Sequence, residues 1–250
     1  MIVSDNKKLV NIIILIIALY LANTFLAMKK IDLGFVFTQG VIIAFGILAI
    51  IVHEVSHGYM AYALGDNTAR DAGRLSLNPI KHFDPLGVLA MIVAHIGWAK
   101  PVPVDYTAFK KPRRDIILVA LAGPLSNLAL AVIFAAVIKY YMKFAGINLF
   151  SNLEEPGVYA AMLIIKAMII GGVQINLILM CFNLLPLPPL DGSKVLMCLL
   201  PEKQARQFAQ LETYGLFIVL ALVYFRALDP FVFGPAEYIY KHLQHFILTR

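Results

Sequence analysis

Residues 34–64 read GFVFTQGVIIAFGILAIIVHEVSHGYMAYAL, an apolar run whose one Asp, Glu, Lys or Arg is Glu54. A helix needs about 20 apolar residues to cross the hydrocarbon core of a bilayer, so this run is long enough to span it. It also carries His53, Glu54 and His57 into the span. Ionisable groups at that depth are costly and by default mark a functional site. One stretch thus predicts a membrane protein and a site within the membrane.

The rest of the chain agrees. Of its 250 residues 60% are hydrophobic and 14% charged, against roughly 25% charged in soluble domains. That excludes disorder, a collagen-like repeat and a disulfide scaffold. A soluble enzyme of this size is excluded too, because its interior could not hide so much apolar surface. Further spans are predicted at 9–28, 116–138, 158–187 and 214–225. The first lies between Lys7-Lys8 and Lys29-Lys30, and its length, with a second apolar run close behind, favours a retained span over a cleaved signal peptide. Residues 231–248 mix Glu237, Lys241, His242 and His245 with aromatics. They read as a short sixth span or, preferably, an amphipathic helix in the interface. The expected fold is an all-α polytopic membrane protein, one intramembrane domain over 1–250 with five to six transmembrane helices.

Residues 65–114 differ in kind. They are rich in proline and alternate polar and apolar positions, as in GRLSLNP and AKPVPVDY, which predicts short strands and turns. The apolar piece within them, 86–98, is too short to span and suits a re-entrant or buried element. The segment holds eight Lys or Arg against four Asp or Glu, whereas the loop at Glu154-Glu155 has no basic residue. The positive-inside rule places 65–114, and by counting back the N-terminus, in the cytoplasm; Lys29-Lys30 disagrees. This pattern accounts for the net charge of +6 without nucleic acid, for which basic and aromatic interleaving is lacking. Cys181 and Cys198 read as buried small hydrophobes.

HEVSH at 53–57 sets two histidines four apart, one helical turn, so both imidazoles share a face and can grip one tetrahedral ion. Glu54 adjoins the first and can reach a metal-bound water as general base. A zinc site of this kind needs a third protein ligand and an open position. The candidates are His82, His95, His242, His245 and carboxylates at the membrane edge. Asp191 stands out because the prolines of FNLLPLPPLDG break the helix before it and leave extended chain, tolerated at such depth only beside a cavity or against protein. Asn183, in the same span, is either a donor to the oxyanion of a hydrolytic intermediate or a helix-to-helix hydrogen bond. Asn127 reads as an interhelical bond or a cavity lining, Gly123-Pro124 as a loosening of its helix, and Gly171-Gly172 as a close approach or kink. His82 fits a hydrogen bond in the KHFDP turn.

HEVSHGYMAYALGD (53–66) followed by NLLPLPPLDG (183–192) resembles the site-2 protease family, the intramembrane zinc metalloproteases. GRLSLNPIKHFDPLG (73–87), GWAKPVPVD (97–105) and RRDIILVALAGPLSNL (113–128) are similar to the compact prokaryotic branch, without an inserted PDZ or a C-terminal nucleotide-sensing domain. Matched segments run from about 51 to 193. The resemblance implies that His53 and His57 are the first two zinc ligands and Asp191 the third. It implies that Glu54 is the catalytic glutamate and Asn183 the asparagine that steadies the tetrahedral intermediate.

The predicted function is hydrolysis of peptide bonds within or near the transmembrane segment of membrane-protein substrates, with one Zn2+ per chain. A helical substrate must unwind first, and the strand-like pieces of 65–114 or the LPLPPL stretch could receive it by strand addition. The alternatives are a divalent metal-ion transporter, which has no need of Glu54 and for which no inverted repeat is evident, and a non-catalytic membrane scaffold.

Overall fold

A computed structural model of the chain describes residues 33–85, 87, 99–146 and 155–249. The span expected at 9–28, almost all of the apolar piece at 86–98, and His95 lie outside them.

The described residues form helices joined by turns. In chain order these are α1 (Leu33–Ala63), α2 (Thr68–Asp71), 3-10 turns at Pro79–His82 and Tyr106–Ala108, α3 (Pro112–Ala145), α4 (Pro156–Ala167), a π-helical segment (Met168–Gln174), α5 (Ile175–Asn183), α6 (Asp191–Leu199), α7 (Glu202–Ala209), α8 (Glu212–Tyr224) and α9 (Asp229–Leu248). Three are long and apolar enough to cross a membrane: α1, α3, and Pro156–Asn183, in which α4, the π segment and α5 run on as one. A fourth candidate is the pair α7 and α8, bent by 65° at the break between them.

Two of the long helices begin at a proline, Pro112 and Pro156, each in the first turn. There the missing N–H costs nothing and the fixed φ suits the helix. Asp115 strengthens the start of α3: it accepts from the Lys111 N–H at 2.9 Å and pairs with Arg114 at 2.7 Å. Pro124 sits inside α3 and does not end it, because the helix is held on both sides by its neighbours.

The centre of the fold is the packing of α1 on α3, the most extensive contact between any two described elements. On α1 the buried ridge is Ala49, His53, His57 and Ala61, each four residues from the last. On α3 the facing ridge is Ala120, Gly123, Asn127, Ala131 and Ala135. Small residues let two backbones approach closely where lipid gives no hydrophobic drive for association. A second apolar core joins α3 to the π segment, α5 and α9 through Ile138, Val173, Leu177, Met180, Val232 and Ile247. The opposite faces carry exposed Phe35, Phe37, Ile43, Leu125, Ile133 and Phe217, as a lipid-facing surface requires.

One expectation changes and two are narrowed. Among the described residues none forms a strand. Residues 99–105 are non-helical, but Pro101 and Pro103 have no N–H to give to a ladder. The neighbouring N–H groups of Val102 and Asp105 go instead to the carboxylates of Glu54 and Asp66, each at 2.9 Å. The stretch expected as a span at 214–225 is α8, about 20 Å long at 1.5 Å per residue, too short for the roughly 30 Å core unless α7 extends it. Residues 231–248 form α9, which is not among the candidate spans. It packs Val232, Ala236 and Ile247 inward and carries the Glu237–Lys241 pair at 3.0 Å.

Candidate metal centre

About two and three turns before the end of α1, His57 and His53 point into α3 and toward the start of α6. Their Nε2 atoms lie 3.0 Å apart, and Asp191 Oδ2 lies 3.1 Å from the first and 3.3 Å from the second. Tetrahedral zinc with bonds of about 2.0–2.1 Å has ligand-to-ligand edges of about 3.3 Å. The triangle is therefore the size of one face of a zinc tetrahedron.

Proton positions lead to the same conclusion. His57 Nδ1 donates to the carbonyl of Val119 at 2.7 Å. His53 Nδ1 donates to Asn127 Oδ1 at 2.6 Å, an orientation consistent with Asn127 Nδ2 donating to Ala49 O at 3.2 Å and Asn176 Oδ1 at 2.8 Å. With both Nδ1 atoms protonated, neutral imidazoles present the lone pairs of both Nε2 to one point. Asp191 Oδ2 faces the same point, buried and without a hydrogen-bond partner. Three lone pairs converging in a buried place repel unless a cation sits between them. Two imidazoles and a carboxylate form a donor set suited to zinc. They are also the one group of three or more His, Cys, Asp or Glu among the described residues that could hold a metal ion.

Gly123 makes room for this arrangement. A Cβ there would lie 2.4 Å from His57 Nε2 and 2.6 Å from His53 Nε2, beside the point on which the three side chains converge. Asp191 arrives from the other direction: after α5 ends at Asn183 the chain turns through 184–190, and Asp191 is the first residue of α6, which packs on α3.

Glu54 lines the same cavity, of about 160 Å³, far above the roughly 15 Å³ that one water needs. Its Oε2 accepts from the Val102 N–H at 2.9 Å. Asn183 also lines the cavity, while its Nδ2 donates to Leu179 O in its own helix at 3.0 Å; the second amide hydrogen remains for another acceptor. Lys194 and Tyr106 stand at the edge, bonded at 2.5 Å, and border a second cavity of about 170 Å³ with Ile116 and Met197. Burial alone would lower the Lys194 ammonium; Tyr106, Asp191 and Glu212 outweigh it, raising the group above its ordinary value and keeping it cationic. A larger hollow of about 420 Å³ between α5 and α9, bordered by Gln174, Phe233 and Tyr240, contains none of the predicted site residues.

The other histidines lie elsewhere. His82 is buried and its Nε2 bonds Ser76 O at 2.7 Å, as the turn reading expected. His242 is exposed and bonds Tyr238 O within α9, and His245 is exposed. Cys181 and Cys198 are free and buried. Sequence reasoning did not find Gly123 against the two imidazoles, the Val119 carbonyl, Asn176, or Asp66, which is buried and ties the end of α1 to 99–105. The 123/127 spacing, the same four residues as 53/57, was the available signal for a shared face.

The pattern of Peptidase family M50 matches residues 40–225. The chain is 42% identical over 191 residues to a Bacillus subtilis protein named "Putative zinc metalloprotease YwhC", a match covering 76% of this chain and 82% of that one. It is 29% identical over 231 residues to Rip2 of Mycolicibacterium smegmatis, similarly named a zinc metalloprotease, covering 89% and 83%. Rip2 of Mycobacterium tuberculosis is 28% identical over 208 residues, covering 80% and 72%. No solved structure gives a significant match.

Proposed function

The chain belongs to peptidase family M50, and from that membership we propose that His53, His57 and Asp191 hold its zinc, Glu54 is its general base and Asn183 its oxyanion donor. The protein is a membrane-embedded zinc metalloprotease that hydrolyses peptide bonds. The observation that carries the assignment of residues is the convergence of two Nε2 lone pairs and the orphaned Asp191 Oδ2 within 3.3 Å.

Bound zinc supplies a Lewis acid for the scissile carbonyl and a water of lowered pKa. The Glu54 carboxylate, held by the Val102 N–H, takes the proton of the attacking water and passes it to the leaving nitrogen. Asn183 turns its second amide hydrogen toward the oxygen where negative charge develops. Tyr106 and Lys194 also line the cavity, where a cation favours a carbonyl or carboxylate of the passing chain. Residues 99–105, non-helical beside Glu54, support the strand-addition reading: an unwound substrate laid against them finds backbone without a regular ladder.

Substrates are the transmembrane segments of other proteins. Residues 65–114 and the N-terminus face the cytoplasm; the apolar run at 9–28, outside the described residues, is long enough for a further span, which with the three long helices and the α7–α8 pair would make five. The site suits that orientation. His53 and His57 lie about 9–15 Å from the end of α1 at 1.5 Å per residue, and Gly123, Asn183 and Asp191 are near the same side, so a substrate is cut toward its cytoplasmic end.

Purified full-length protein and its Glu54→Gln variant, incubated with β-casein as an already unfolded probe, test the assignment. Cleavage by the wild type, its loss with Glu54→Gln and equal zinc in both are expected. Undiminished cleavage by Glu54→Gln contradicts the assignment.

A further inference from the structure

Asn176 is completely buried in α5, and its side-chain hydrogen bonds run to Asn127 and Gly172 rather than to the three ligands. Its contacts form a chain with a single polarity. The Gly172 carbonyl accepts from Asn176 Nδ2 at 2.8 Å. Asn176 Oδ1 accepts from Asn127 Nδ2 at 2.8 Å. Asn127 Oδ1 accepts from His53 Nδ1 at 2.6 Å. A backbone carbonyl can only accept, so Gly172 decides which end of the Asn176 amide faces it. Asn176 in turn decides which end of Asn127 faces it, and Asn127 decides which nitrogen of His53 carries the proton.

The first member of the chain is held firmly. Gly172 lies in the π-helical segment, a widened turn of the kind often found at functional sites. A Cβ on it would come within 2.5 Å of the Phe134 ring of α3, so the segment rests directly against the helix that carries Asn127. Without Asn176, the Asn127 amide is oriented by the longer bond to Ala49 O at 3.2 Å alone. A half-turn of that amide would give up this one bond and present NH2 to His53. The imidazole would then carry its proton on Nε2, pointing it at the space between the ligands.

We propose that Asn176 is a positioning residue of the metal site, which fixes the Asn127 amide and thereby the unprotonated His53 Nε2 offered to zinc, with the Gly172 carbonyl of the π-helical segment as the fixed end. The proposal rests on His53 being a zinc ligand. It gives a function to the irregular turn, which hydrophobic packing alone does not require.

The test is the zinc dissociation constant of detergent-solubilised full-length protein, measured by competition with a chromophoric chelator. Asn176→Leu keeps the volume and removes both bonds; acting through Asn127, it is expected to lower affinity by about 10-fold, the low end of the effect of losing a ligand's direct supporting hydrogen bond. Asn176→Asp keeps an acceptor for Asn127 but gives up the bond to the Gly172 carbonyl, and is expected to lose less affinity than Asn176→Leu. If Asn176→Leu does not fold, Asn176→Ser, too short to bridge, replaces it with the same expectation. Unchanged affinity in the Leu or Ser variant, or an equal loss in the Asp variant, would overturn the proposal, the latter by showing that packing alone is at stake. A wild type that binds no zinc would instead overturn the assignment of His53 on which it rests.

Discussion

On one side of the metal cavity, His53, His57 and Gly123 sit within long helices, and each imidazole is fixed through its Nδ1 by a buried acceptor on α3. On the other side, residues 99–105 have no regular structure and are held by single hydrogen bonds to carboxylates, from Val102 to Glu54 and from Asp105 to Asp66, with Arg74 bonding Lys100 O at 2.7 Å. The helical wall has the rigidity a metal site needs, since ligand geometry must be kept to fractions of an ångström. The rim is held otherwise: Val102 is buried, Lys100, Pro101 and Asp105 are exposed, and its bonds, including Lys100 N–H to His82 O at 2.9 Å, run to other segments with no regular ladder, so it should open at lower cost than the helices. Zinc binding should therefore depend on the helices and substrate handling on the rim, and each can be perturbed without the other.

The largest effect is expected from Gly123→Ala. The new methyl would lie 2.4 Å from His57 Nε2, and zinc content measured by mass spectrometry should fall to background in a protein that still folds. Full zinc in that variant would mean that the helices yield more easily than their packing indicates. Next is Asn127→Leu, which removes the acceptor for His53 and should weaken zinc about 10–100-fold. Val119→Ala is its counterpart: the support for His57 is a backbone carbonyl, so zinc affinity should be unchanged.

The rim should respond in the other way. Asp66→Asn keeps the shape and removes a charge that accepts from Thr68 at 2.8 Å and Asp105 at 2.9 Å. A loss of about 1–3 kcal/mol of stability, as for a buried charged hydrogen-bond acceptor, is expected in thermal unfolding, with reduced cleavage and intact zinc. Loss of zinc in step with cleavage would dissolve the distinction between the two walls. The smallest change is expected from Tyr106→Phe, which removes the bond from Lys194. The donor is the Lys194 ammonium, but the bond is only part-buried and the ammonium can turn to water instead, so KM for casein should change by a few-fold and zinc affinity should not change.

The helical wall was the legible part of the sequence. Long apolar runs and a four-residue spacing are local signals, and α1, with its two histidines on one face, follows from them directly. Asp191 could be singled out because prolines and a glycine around it mark a break in a span. Asn127 and Asn176 were harder, since an intramembrane amide can bond any neighbouring helix, and which one depends on how three helices cross. The rim misled: alternation and proline in 99–105 resemble a strand, yet whether extended chain pairs in a ladder depends on what lies beside it, and here that is Glu54 and Asp66. The ends of the spans were uncertain for a similar reason. The helix expected at 116–138 runs from Pro112 to Ala145, because charged residues at its ends can reach past the apolar core without breaking it.

Zinc per chain in wild type and Asp191→Ala tests most directly whether two segments more than 130 residues apart in sequence make one site. About one zinc in the wild type and a clear loss in Asp191→Ala are expected for the three-ligand site. Undiminished zinc in Asp191→Ala would contradict it, and would mean that the convergence of Asp191 Oδ2 on the two imidazoles is not what holds the metal.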